Sequence, residues 1–362
     1  MKFCKECFKD PELRAQIEVL GHKGTCPICG KKETWIYDSE IDEDNSSVVD
    51  NIESILRIYK IESELPNTYL SQDVKSIYEC LMEDWDIFNG NIEQIKVIVE
   101  EIVHESWDIS DKILSNNVGI PELYDENFLA SKTIMGQHTW KQFKKSIRNV
   151  NRFHSAGFIN LNLLAEILNE TEILIKKDEK FYRARVSNGK SIKGFKASEM
   201  GAPPDDVASP GRANSKGQSC LYLASEKGTT VKEIRAHAFD YVTIATFKLQ
   251  RDLKIIDLSS ITHISPFYSN TDKVTYLLNE KVLREMESDL SKPMSRWDSD
   301  LDYLPTQYIS DYVRWLGYDG VKYKSTFDKD AYNLAIFDTE ASIAVYKRNY
   351  LIGDLNYTLE VL

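Results

Sequence analysis

At about Lys180 the texture of the sequence changes, and no single-layer architecture accommodates both sides of that change. Before it, from Val48 to Lys176, apolar residues recur at helical spacing. Val74, Ile77, Tyr78, Leu81 and Trp85 share one helical face, and Ile92, Ile95, Ile98, Val99 and Ile102 share another. Trp140, Phe143 and Ile147 mark a further helix, and Leu161, Leu164, Ala165 and Leu168 one more. Breaks fall at Leu65-Pro66-Asn67, Gly90 and Gly119-Ile120-Pro121. After Lys180 come short β-rich runs at 181–186, 220–225, 241–249, 253–258, 321–325, 333–337 and 342–348. Helical stretches near Thr230–Ala238, Val274–Glu287 and Gln307–Leu316 lie between them. The runs lack the steady strand–helix alternation of a doubly wound sheet. The fold class is therefore α+β: a mainly antiparallel or mixed sheet domain preceded by an all-α domain. A chain of 362 residues is long enough for both and a small module besides.

That module is written in the cysteines. Cys4, Cys7, Cys26 and Cys29 form two C-x2-C pairs within the first thirty residues. This is the spacing of a four-thiolate structural zinc site, and Gly30 suits the turn that follows the second pair. Two disulfides would use the same residues, but the N-terminus has no apolar signal-peptide core, and disulfides belong to oxidising compartments. Four protein ligands leave no open position for catalysis, so Zn²⁺ here is a staple for residues 1–37. Cys80 and Cys220 are isolated and read as buried thiols. Asp38–Asn45 is an acidic run, expected to be a linker or a solvated edge between the module and the helical domain at 48–176.

No stretch approaches the ~20 consecutive apolar residues a membrane helix needs, so a cytoplasmic location is expected. The net charge of −12 argues against broad, charge-driven binding to nucleic acid or membrane. It leaves room for a local basic pocket, which an anionic small-molecule substrate would require.

Within the β-rich region, Arg183 and Arg185 alternate along one strand and so point to one face. A loop rich in Gly and Pro, from Gly201 to Asn214, carries Arg212. Tyr222 sits on the strand after it, Glu233 on the next helix, Ser325 after Tyr323 at a strand end, and Asn333 at the start of the next strand. Several arginines near one carboxylate suit a ligand with a pyrophosphate and a ribose. Read from composition alone, surface salt bridges explain the same arginines, and an exposed helix position explains Glu233.

The ordered segments FYRAR, MGAPP, GRANSKG, CLYLAS and TTVKEIR resemble the RES domain family. TQYISDYVRWLGYDGVKYKS and NLAIFD resemble that family's C-terminal half, so the likeness runs from about Asp178 to Asp338 within a domain expected to span 178–362. The arginine, glutamate and serine for which the family is named fall on Arg183, Glu233 and Ser325. The arginine of its GR motif falls on Arg212, and the tyrosine of the following strand on Tyr222. Ala331-Tyr332 stands where the family tends to show Gly, and Ser215 where Pro is more usual. The resemblance implies a fold similar to ADP-ribosyltransferase toxins and consumption of NAD⁺. It also implies a bacterial toxin or antiphage-defence setting with a protein antitoxin or regulator. Relatives phosphorolyse NAD⁺ or transfer its ADP-ribose, so an NAD⁺ phosphorylase, an NAD⁺ glycohydrolase and a protein ADP-ribosyltransferase all follow, with inorganic phosphate, water or a side chain as acceptor. Arg183 and Arg212 are then expected to hold the pyrophosphate, with Arg185 and Asn333 also lining the dinucleotide site. Tyr222 would pack on a base, Ser325 would orient the nicotinamide ribose, and Glu233 would stabilise positive charge at the ribose carbon.

Arg148-Asn149-x4-His154 resembles the motif of HEPN ribonucleases, whose helical domains accompany RES domains. A structural or regulatory helical domain is the expectation, with an RNA-cleaving or RNA-binding domain beside a nucleotide-sensing RES domain as the alternative. His154, just before Ser155-Ala156-Gly157, suits a helix C-terminus, and His104 and His237 read as ordinary helix residues. The sequence leaves homo-oligomerisation open.

Overall fold

The computed structural model describes residues 1–42, 47–154, 157–187, 193–267, 272–292, 299–328 and 330–354. They divide into two compact units, Met1–Gln137 with His263–Lys281 and His138–Thr262 with Val282–Leu362.

In the first unit, β1 (Lys2–Cys4), β2 (Lys23–Gly24) and β3 (Thr34–Asp38) form an antiparallel sheet with β3 in the middle. Helix α1 (Pro11–Val19) starts on Asp10, whose carboxylate accepts the Leu13 N–H at 2.9 Å. The acidic run expected as a linker or solvated edge begins inside this fold. Asp38 and Asp42 are buried, Asp38 pairs with Lys2 at 2.8 Å, and Asp42 accepts the Asp38 N–H at 2.9 Å. Glu43, Asp44 and Asn45 lie outside the described residues.

Helix α2 (Ser47–Leu56), β4 (Lys60–Ile61), β5 (Lys75–Ser76), α3 (Ile77–Glu83), α4 (Ile92–Glu105), α5 (Lys112–Ser115), β6 (Asn117–Gly119) and α6 (Glu126–Lys132) complete the unit's main elements. Helix α4 buries Ile95, Ile98, Val99 and Ile102 as their spacing requires, while Ile92, in the first turn, stays exposed. Helix α3 is shorter than expected. A reciprocal cap between Ser76 and Glu79 starts it after Val74, and it ends before Trp85. Nor is the region all-α, because β4 and β5 both pair with β6. Strands of two or three residues carry too little alternation to be read.

The second unit opens with α7 (Trp140–Asn149), capped by Thr139 and Gln142, and α8 (Leu161–Asn169). Helix α7 buries Trp140, Phe143 and Ile147, and Phe143 meets Tyr308 edge-on at 5.1 Å. Next come β7 (Glu172–Ile175), β8 (Lys180–Val186), β9 (Leu221–Ala224), α9 (Lys227–Glu233), β10 (Tyr241–Leu249) and β11 (Leu253–Asp257). Helix α10 (Lys273–Ser291) joins this unit from Val282, followed by α11 (Leu304–Trp315), β12 (Gly320–Lys324), β13 (Tyr332–Ile336) and β14 (Ser342–Leu351). Helices α7 and α8 thus fold with the sheet and not with the helices before them. Strand β7, in a stretch whose pattern reads as helix, is an edge strand.

The eight strands form one mixed sheet in the order β14-β10-β8-β9-β13-β12-β11-β7. Among them β11 and β12 run parallel, and the other neighbours are antiparallel. Phe181, Leu221, Leu223, Phe247, Leu334 and Ile336 pack in one core cluster, and Ala184, Val242 and Ile244 in another. Burying a side chain the size of Phe247 contributes about 1.5–3 kcal/mol. One junction is weak. Strand β8 pairs with β10 from Val186↔Val242 to Lys180↔Lys248, but with β9 only at Tyr182↔Ala224.

Candidate active site

Where β8 parts from β9, a cavity of about 260 Å³ opens. Its walls include Arg183 of β8, Tyr222 of β9, Glu233 at the end of α9, Tyr323 of β12 and Asn333 of β13. Helix α9 ends at Glu233, short of the expected Ala238, as the backbone turns left-handed at Arg235 (φ 51°). That early stop leaves Glu233 in the helix's last turn and His237 beyond the helix, while His104 is helical as expected.

One oxygen of Glu233 is held from two sides. Oε1 accepts the Ser325 hydroxyl at 2.8 Å and the Asn333 side-chain amide at 2.8 Å. Both donors are buried. The Ser325 oxygen also accepts the Phe327 N–H at 3.2 Å, which fixes the direction of its own proton. No hydrogen bond to Oε2 occurs among the described residues, so the second oxygen is available to a ligand. Ser325 lies one residue past β12, and the register that sets Asn333 opposite both Tyr323 and Ala224 carries the amide into the same wall.

Arg183 faces the opposite electrostatic problem. Burial, with the neighbouring charge of Arg185, draws its guanidinium down to about 10, which still leaves it cationic at neutral pH. Its Nη1 is buried without a hydrogen-bond partner, and no carboxylate pairs with it among the described residues. A buried, unpaired cation costs several kcal/mol unless an anion meets it. Arg185, on the same strand face, does not reach the cavity wall. It stacks on Phe195 at 4.2 Å and donates to the Glu199 carbonyl.

Arg212 lies over the Tyr323 ring at 5.4 Å, and its Nη2 donates to the Lys292 carbonyl at 2.9 Å. Its Nη1, like that of Arg183, is buried and unpartnered. The loop carrying it is tied to the cavity by Tyr222, whose hydroxyl accepts the Ala213 N–H at 2.9 Å and donates to Asn214 Oδ1 at 2.6 Å. Gly211 permits this approach, since a Cβ there would come within 2.5 Å of the Tyr222 oxygen. The Tyr222 hydroxyl is therefore already engaged, and only its ring is available to a ligand. Tyr323, a cavity wall between Arg212 and Glu233, was not singled out by the sequence. The available signal was strand alternation, which sets Tyr323 and Ser325 on one side.

The arrangement offers one oriented carboxylate and two guanidinium groups, each with one nitrogen buried and unpartnered. It suits a ligand with hydroxyls at one end and phosphates at the other.

In the first unit, Cys4, Cys7, Cys26 and Cys29 bring their four sulfurs within 4.8 Å of one another. Cys4 stands 3.8 Å from Cys7 and 3.4 Å from Cys29, and Cys7 stands 3.7 Å from Cys26. Four thiolates at about 2.3 Å from a tetrahedral ion lie about 3.8 Å apart, so the set fits a metal ion. Gly30 takes the positive φ (71°) that its place after the second pair requires. Cys80 and Cys220 are buried and free.

The Arg148–His154 pair is not assembled on a helix. Helix α7 ends at Asn149, Arg148 pairs with Asp302 at 2.5 Å, and the His154 N–H donates to Asn151 Oδ1 at 3.0 Å beyond the helix end. Ser155 and Ala156 lie outside the described residues.

Residues 180–359 match the RES domain model, and this part of the chain is a RES domain. Among solved structures, the MbcT–MbcA toxin–antitoxin complex of M. tuberculosis is similar at 12% identity and a TM-score of 0.32. The match covers 52% of this chain and 91% of that one, and a likeness so distant carries no weight for fold or function. No match is found among curated proteins. No helix among the described residues is long and apolar enough to cross a membrane.

Proposed function

We propose that the cavity between β8 and β9 binds the nicotinamide ribose of NAD⁺ and that the protein breaks the nicotinamide–ribose bond. The observation that carries this reading is Glu233: a carboxylate with one oxygen locked by Ser325 and Asn333, in the same cavity as a cation without an anion. At about 260 Å³ the cavity is smaller than the roughly 300–1,000 Å³ that encloses a whole drug-sized ligand. It would enclose the ribosyl end and leave the rest of the dinucleotide outside.

In this mechanism the C1′–N bond breaks and its electron pair leaves with neutral nicotinamide. The ribose carbon passes through an oxocarbenium-like state, which the charge of Glu233 stabilises while its free oxygen accepts from the ribose hydroxyls. Phosphate or water then forms the new C1′–O bond, with water losing its proton to solvent. Arg183 and Arg212 hold the pyrophosphate, which supplies the anion both lack. Ser325 acts through Glu233 as a positioning residue, because its hydroxyl is committed to that carboxylate. Such an activity suits a toxin restrained by a protein antitoxin or regulator. Zn²⁺ on Cys4, Cys7, Cys26 and Cys29 would hold the N-terminal segment without entering the reaction.

Incubating the full chain with NAD⁺, with and without inorganic phosphate, tests the proposal. Nicotinamide release is expected, with ADP-ribose phosphorylated at C1′ as the second product if phosphate is the acceptor and free ADP-ribose if water is. Label retained on protein would identify a transferase. No nicotinamide under any of these conditions, including added cell extract, would sink the reading.

A further inference from the structure

A second cavity, of about 680 Å³, lies in the same unit against α7. Lys141, Lys144, Lys145 and Arg148 reach it from one face of the helix. Their spacing sets them about one turn, ~5.4 Å, apart. The rotation of α7 is fixed, because its other face buries Trp140, Phe143 and Ile147. Lys292 adds a fifth cation from beyond the end of α10.

Two carboxylates share the cleft, and both are taken. Asp289 accepts from Lys144 at 2.7 Å and from the Trp140 indole at 2.7 Å. Asp302 pairs with Arg148 at 2.5 Å and accepts the Ser299 N–H at 2.8 Å. Lys141, Lys145 and Lys292 have no ion pair among the described residues, in a chain whose net charge is −12. Three unpaired cations around one recess repel one another, and an acidic protein has ample carboxylates with which to neutralise them. The recess has the size of a small-molecule site and the charge of an anion site. Its wall is also tied to the cavity described above. The Lys292 carbonyl accepts from Arg212, and the Thr306 hydroxyl bridges the carbonyls of Arg212 (2.8 Å) and Tyr303 (2.9 Å), with Tyr303 lining the cleft.

We propose that this cleft binds the phosphate of a nucleotide, with Lys141, Lys145 and Lys292 as its cationic contacts and Tyr303 beside the base. Two sources share this chemistry. One is the adenylate half of the dinucleotide, which rests on the function proposed above; the other is free AMP or ADP. Helix α7 lies outside the RES match at 180–359, so in either case the nucleotide is read partly by residues the RES domain does not supply.

Calorimetric titration of AMP and ADP into the full chain tests the site without relying on turnover. Binding is expected to weaken at least about tenfold in Lys141→Glu/Lys145→Glu, less in Lys141→Gln/Lys145→Gln, and steadily as salt rises. No binding to the native protein, or unchanged affinity in the folded glutamine variant, overturns the proposal. So does binding of a single-stranded oligonucleotide in place of AMP and ADP, which would mark a nucleic-acid surface instead. If AMP raises KM for NAD⁺ but not for nicotinamide mononucleotide, the cleft holds the adenylate half. If AMP binds and changes neither KM, the cleft holds a separate nucleotide. Nucleotide binding without nicotinamide release would defeat the NAD⁺ reading and leave the cleft standing.

Discussion

The Ser325 hydroxyl donates to Glu233 Oε1 across 2.8 Å, so the serine and the glutamate behave as one group. Removing the hydroxyl leaves the carboxylate held by Asn333 alone. Ser325→Ala is expected to lower kcat about 10–100-fold with KM nearly unchanged, the effect of losing one charge-assisted hydrogen bond. Ser325→Thr should retain much of the rate. A Ser325→Ala enzyme whose KM rises while kcat holds would mean that the serine touches substrate directly.

Arg183→Met should separate stability from function. The substitution replaces a buried, unpaired guanidinium with an apolar side chain of similar length. Thermal unfolding should shift upward by several degrees, roughly 1–3 kcal/mol, while NAD⁺ binding is lost. A melting temperature that falls would show that the guanidinium is satisfied in the free protein.

Tyr222→Phe tests the loop. It leaves the Ala213 N–H and Asn214 Oδ1 without their shared partner, at a cost of about 1–3 kcal/mol. KM for NAD⁺ should rise as Arg212 loses its fixed position, with a smaller change in kcat. An unchanged melting curve would show that the loop does not depend on this hydroxyl.

Zinc content can be measured directly. One equivalent of Zn²⁺ per chain is expected in the purified protein by elemental analysis. Cys26→Ser or prolonged chelation should lower the unfolding temperature, since an ion held by the four sulfurs would contribute folding energy to the segment around Cys4, Cys7 and Cys29. Metal-free protein with unaltered stability would remove the assignment.

The parts of the molecule that the sequence made legible are those governed by local periodicity. The face Ile95, Ile98, Val99 and Ile102, the helix marked by Trp140, Phe143 and Ile147, and the β-rich run at 241–249 all appear where their patterns put them. The paired CxxC motifs likewise gave the sulfur cluster, because ligand spacing is itself a local property. Strands β4 to β6 escaped because two or three residues have no period. The Ser76–Glu79 cap starts α3 after Val74, a boundary that the period of the apolar stripe does not mark. At the candidate site, strand alternation set Arg183 and Arg185 on one face. It could not show that Phe195 and Glu199 draw Arg185 aside. That Asn333 holds Glu233 depends on a contact between residues 100 apart in sequence. Such a contact follows from how β13 and α9 pack, and no motif encodes it alone.

The weak junction between β8 and β9 bears on mechanics as well as on shape. A sheet fastened there at Tyr182↔Ala224 behaves like two panels sharing a clasp. Arg183 belongs to one panel; Tyr222 and Asn333 belong to the other. A dinucleotide gripped from both sides would act as a second clasp, so the occupied protein should resist unfolding, proteolysis and amide exchange along β8 and β9 more than the empty one. Product departure would then require the panels to part, which makes the stiffness of this seam a brake on turnover.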